Sequence, residues 1–97
     1  MKTLEQIYKK LEDLKPYLKQ QYAVSSLYLF GSYTRLEQTA QSDVDILVDF
    51  TTIPDLLTFI EIEEFLSEEL GVQVDLVPKR KLKKALKEHI MNEAIAV

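Results

Sequence analysis

Three aspartates stand out in this chain because their type and spacing could do chemistry. Asp43 and Asp45 lie two apart in the run Asp43 to Asp49, where Val44, Ile46 and Val48 alternate with more polar positions. In an extended segment both carboxylates leave one face, with Cα atoms roughly 6.5–7 Å apart. Like charges held that close raise each other's pKa unless a cation joins them. An all-oxygen pair suits magnesium, which takes one or two carboxylates and completes its shell with water and substrate phosphates. Asp75, on the polar side of the run Val72 to Val77, supplies a third carboxylate. Aspartate is disfavoured in strands, so its recurrence inside apolar runs asks for a reason. Asp49 shares the face near the strand end and reads as solvated.

Gly31 and Ser32 directly follow the apolar run Leu27 to Phe30. A glycine ending a strand lets the backbone turn sharply and lets a phosphate come close to the main chain. The Ser32 hydroxyl and nearby amides could then hold a polyphosphate. Ten residues separate Ser32 from Asp43. A phosphate cradle beside a two-carboxylate clamp is the arrangement that nucleotidyl transfer requires.

Composition narrows the alternatives. The chain has 97 residues, no Cys and one His, which excludes disulfides, thiolate zinc sites and a Cys nucleophile. A net charge of −4 argues against a module that coats nucleic acid, so no direct nucleic-acid partner is expected. No apolar stretch approaches the ~20 residues of a bilayer span, and the N-terminus is amphipathic, so no membrane association and a cytoplasmic location are expected. The length predicts one domain over residues 1–97.

Several elements must position these groups. Leu4, Ile7, Leu11, Leu14 and Leu18 form one apolar helical stripe, with Thr3 and Gln6 as a capping box and Pro16 as a kink or break. Strands are predicted at 27–30, 43–49 and 72–77. Pro54 is expected at the first position of a helix closed by Gly71, and a last helix carries Leu82, Leu86 and Ile90. The tail Ala94 to Val97 is too short to assign. The order predicts an α+β fold, a small mixed sheet with helices packed mainly on one face and an uncovered acidic face.

Leu29-Phe30-Gly31-Ser32, then Arg35, then Ser42-Asp43-Val44-Asp45, then Val74-Asp75-Leu76-Val77 resemble the minimal nucleotidyltransferase (MNT) family of the DNA polymerase β-like superfamily. The resemblance spans nearly the whole chain and implies that fold in its minimal form. It implies that Asp43 and Asp45 bind Mg²⁺, and that Asp75 is a third ligand or the base for the incoming hydroxyl. Gly31 and Ser32 would hold the triphosphate of ATP, with Arg35 as a phosphate or substrate contact. The implied partner is a HEPN-type toxin, neutralised by AMP transfer to a hydroxyl, with this chain as antitoxin and an oligomer with the partner conceivable. Tyr33 and Leu36 stand where relatives often carry Arg and Gly, which leaves open a catalytically weakened antitoxin acting by binding; a small-molecule nucleotidyltransferase is a separate alternative. The basic run from Lys79 to Lys87 reads as a solvated helix face, Tyr28 as cross-strand packing and His89 as structural.

Overall fold

The computed structural model describes residues 2–97. The elements run α1 (Leu4–Tyr22), β1 (Val24–Phe30), β2 (Val44–Phe50), α2 (Leu56–Leu70), β3 (Val74–Pro78), a short 3₁₀ turn (Lys79–Lys81), α3 (Lys84–Glu93) and β4 (Ile95–Ala96). The sheet order is β3-β2-β1-β4. β1 pairs antiparallel with β2 and β4, whereas β2 and β3 are parallel. A parallel pair needs a long crossover, and α2 provides it. The fold is α+β with a mixed sheet.

The core forms where the alternating strand faces meet α1 and α2. Leu27 and Leu29 of β1, Val44, Ile46 and Val48 of β2, and Val74 and Leu76 of β3 are buried against Ile7, Leu11 and Leu18 of α1 and Ile62, Leu66 and Leu70 of α2. The capping box forms as expected, with Gln6 N–H donating to the Thr3 hydroxyl and Thr3 N–H to the Gln6 side chain. Gly71 closes α2 in the left-handed conformation at φ 68°.

Four expectations are adjusted. Pro16 neither ends nor splits α1. It sits on the exposed side, between the buried Leu11 and Leu18. Burial of Leu11 and Leu18 on either side of it holds the helix together despite the hydrogen bond that Pro16 cannot make. Asp55, not Pro54, begins α2: its carboxylate accepts from Thr58 N–H at 2.8 Å as the N-cap. The tail supplies a fourth strand, β4, along the edge of β1, and Val97 N–H donates to Leu27 O at 3.0 Å. Finally, the second sheet face is not fully open. Leu47 and Ile90 are buried outside the main core cluster, α3 packs against β1, and the 3₁₀ turn packs against β2. Lys79 lies 4.9 Å over the Tyr28 ring on that side. Among the described residues, no helix is long and apolar enough to cross a membrane.

Candidate active site

Register brings the carboxylates together. Parallel pairing sets Asp45 beside Asp75, and antiparallel pairing sets Asp45 opposite Phe30, the residue before Gly31. Asp43 falls one position before β2, held by the preceding loop, where Thr39 N–H donates to Ser42 Oγ at 2.8 Å. Asp43 and Asp75 are exposed and Asp45 is half-buried.

Asp45 is the hub. Burial first, then the neighbouring charges of Asp75 and Asp43, together push its carboxyl up to about 6, with Arg35 opposing them. A carboxyl pushed up by burial and by two like charges is the electrostatic pattern that clusters at functional sites, and one that a bound cation would relieve. Asp45 also lies against Gly31: a Cβ built on that glycine would overlap the Asp45 carboxylate. Gly31 therefore has two reasons to lack a side chain, this approach and its φ of 80°.

The turn after Gly31 is closed by the amides of Thr34 and Arg35 donating to Gly31 O, Leu36 N–H to Tyr33 O and Glu37 N–H to Ser32 O. The Ser32 and Tyr33 amides take no part in these bonds, leaving two donors at the start of the turn, the end that favours anions. Tyr33 is 1 % exposed and belongs to the core. Its side chain faces inward rather than onto the surface of the turn. Leu36 adopts φ 57°, the left-handed conformation that a glycine would favour there. The turn holds a leucine in that conformation and carries the strain.

Arg35 reaches the site's edge in the grip of two acids. Its Nη1 donates to Glu93 Oε2 at 3.0 Å, and its Nε lies 3.4 Å from Glu37 Oε1. The Glu93 bond, with Glu37 beside it, holds the guanidinium firmly charged. Sequence reasoning missed Glu93, which is 58 positions away and carries no local signal. It also missed Ser67 and Glu63 of α2. Ser67 Oγ accepts from Val74 N–H at 3.0 Å and Glu63 Oε2 from Leu76 N–H at 2.9 Å. These two bonds fasten the outer edge of β3 on either side of Asp75. The i, i+4 spacing of the acceptors, against donors two apart on a strand, was the available clue.

Two other expectations change. Asp49 is not simply solvated, because Arg80 Nε lies 2.9 Å from its Oδ1 while Arg80 Nη2 donates to Phe50 O at 2.6 Å. His89 is exposed rather than packed, 3.6 Å from Glu93. Among the described residues, no group of three or more acidic or imidazole side chains forms a ready-made metal cage. The donor set instead fits a hard divalent cation that completes its shell with water and phosphate oxygens. A cleft of about 450 Å³ lies away from these carboxylates and is lined by Lys2, Gln6, Tyr33, Ala40, Gly71 and Val72.

A nucleotidyltransferase domain model matches residues 11–97. The chain belongs to the nucleotidyltransferase family. It is 46% identical over 97 residues to the protein adenylyltransferase MntA of Thermococcus cleftensis, covering 100% of this chain and 98% of that one. A solved structure described as a candidate minimal nucleotidyltransferase superposes with a TM-score of 0.84 at 32% identity, over 99% of this chain and 97% of its own. A toxin–antitoxin crystal structure with AMP-PNP has a TM-score of 0.71 at 28% identity, over 96% of this chain and 70% of its own. The chain is thus a nucleotidyltransferase of minimal form with a nucleotide substrate.

Proposed function

We propose that this nucleotidyltransferase moves AMP from ATP to a hydroxyl on a HEPN-type toxin and acts as the antitoxin of that pair. The observation that carries the reading is Asp45, raised by burial, Asp75 and Asp43, and pressed against Gly31 at the strand end. Likeness to a protein adenylyltransferase and to a nucleotide-bearing toxin–antitoxin structure supports the acceptor's being a protein.

In this reading Asp43 and Asp45 hold Mg²⁺, which when bound neutralises phosphate charge. Gly31 lets the triphosphate approach the main chain, while the Ser32 amide and hydroxyl and the Arg35 guanidinium orient it. The acceptor oxygen bonds to the α-phosphorus as the bond to the bridging oxygen of the β-phosphate breaks, and pyrophosphate leaves. Asp75, exposed and level with Asp45, takes the hydroxyl proton. Tyr33 in the core and Leu36 in the left-handed conformation leave the turn intact, which favours an active enzyme over a binding-only antitoxin.

The test is incubation of ATP labelled in its α-phosphate with Mg²⁺, this chain and the small helical protein encoded beside it. Label is expected on that protein, with loss on chelation and in the Asp43→Asn, Asp45→Asn double variant. An unlabelled partner, or equal labelling by the double variant, overturns the proposal.

A further inference from the structure

Leu57 and Ile60 lie three apart on one side of α2, with Leu56 adjoining them and Ile53 just before the N-cap. This side faces solvent: Ile53 is 65%, Leu56 72%, Leu57 80% and Ile60 41% exposed. The opposite side, Ile62, Leu66 and Leu70, already fills the core, so the fold itself does not use the outer residues. An apolar surface of this kind marks an interaction site. Farther along the helix the same side turns acidic, with Glu61, Glu64 and Glu68 exposed. Glu61 accepts from the Tyr22 hydroxyl at 3.0 Å, while Glu64 and Glu68 form no ion pair among the described residues. The helix carries five Glu and no Lys or Arg. A second copy laid antiparallel on this face would bury the glutamates of each against the apolar half of the other, and one laid parallel would bring glutamates together, in a chain of net charge −4, so charge selects a cationic occupant.

We propose that this face is the docking surface for the partner protein, and that it receives an amphipathic helix, apolar over one half and basic over the other. The inference rests on the reading that the acceptor is a protein. Topology adds a constraint. β2 runs from the carboxylate end to Phe50 and α2 runs back alongside it, so Leu56, Leu57 and Ile60 lie near the end of the sheet remote from Asp43 and Asp45, about 20 Å away for a strand of this length. The acceptor hydroxyl therefore sits outside the docking helix, on a segment about six or more extended residues long.

The experiment is calorimetric titration of the purified neighbouring-gene protein into the chain, in wild type, Leu57→Glu, the pair Glu64→Lys with Glu68→Lys, and Leu86→Glu, an exposed α3 control. Mg²⁺-ATP binding and sedimentation are measured on the same samples. Leu57→Glu and the charge-reversed pair are expected to weaken partner binding at least tenfold, with nucleotide binding unchanged and Leu86→Glu behaving as wild type. Wild-type partner affinity is expected to fall as salt rises. Full-strength binding by Leu57→Glu, or no partner binding by wild type, overturns the docking surface. So does loss of a concentration-dependent dimer in Leu57→Glu with partner affinity unchanged, which assigns the face to a second copy. A partner that binds through this face and yet acquires no label leaves the docking surface standing and refutes the transfer reading.

Discussion

Asp45, the proposed cation ligand, carries a charge that weakens the metal-free protein. Its folded pKa of about 6 lies above that of the unfolded chain. Its contribution to stability is therefore fully present below about pH 4 and is lost as pH rises through about 6. In metal-free protein, Asp45→Asn is expected to remove this pH dependence and to raise stability above pH 6 by about 1 kcal/mol, allowing for solvent screening of a half-buried group. Denaturant melts at pH 4 and pH 8 measure both effects, and the same variant is expected to lose transfer activity. Leu36 makes the converse case. A left-handed leucine costs about 1–2 kcal/mol; Leu36→Gly is expected to stabilise by about 0.5–1 kcal/mol after the added freedom of the unfolded chain, as read from the urea midpoint. The carboxylates and Gly31 were legible in the sequence because a two-residue period fixes which side chains share a face and glycine marks a turn. The inward direction of Tyr33 was not, since one residue of an irregular turn has no period to follow. Nor was the hold of Glu93 on Arg35, which exists only once α3 has folded across the sheet.

At the scale of elements, β3 is an edge strand, and its outer amides are taken by side chains of α2 rather than by another strand. Ser67→Ala and Glu63→Ala each leave a part-buried N–H unpaired, and each is expected to cost about 1–2 kcal/mol. Exchange of the Val74 amide in Ser67→Ala, and of the Leu76 amide in Glu63→Ala, should rise well above the wild-type rate. Because Asp75 lies between those amides, activity should fall as well, although neither side chain meets the nucleotide. The helices and three main strands were readable from their periods, with boundaries off by a few residues. The start of α2 was misread because Pro54 drew attention from Asp55, whose carboxylate caps the helix. β4 escaped notice because two residues have no pattern; its pairing depends on the open edge of β1.

For the molecule as a whole, the carboxylate end of the sheet is where the proposed reaction would seat its cation and nucleotide. Mg²⁺ with a non-hydrolysable ATP analogue at a hundred times its dissociation constant is expected to stabilise the fold by about 2.7 kcal/mol, a rise in Tm of roughly 10 °C or more for a domain of this size. Chelation should return the melt to its metal-free value, and Asp45→Asn should respond to neither addition. The pairing of Asp45 with Asp75 has a further consequence. The two are level because α2 and the link through Gly71 return the chain to β3 in one register. A one-residue insertion or deletion in that link would put Val74 or Leu76 on the reactive face and send the carboxylate into the core. The distance along the chain from residue 45 to residue 75 is thus itself an inherited property of the enzyme, one that can drift in composition much more freely than in length.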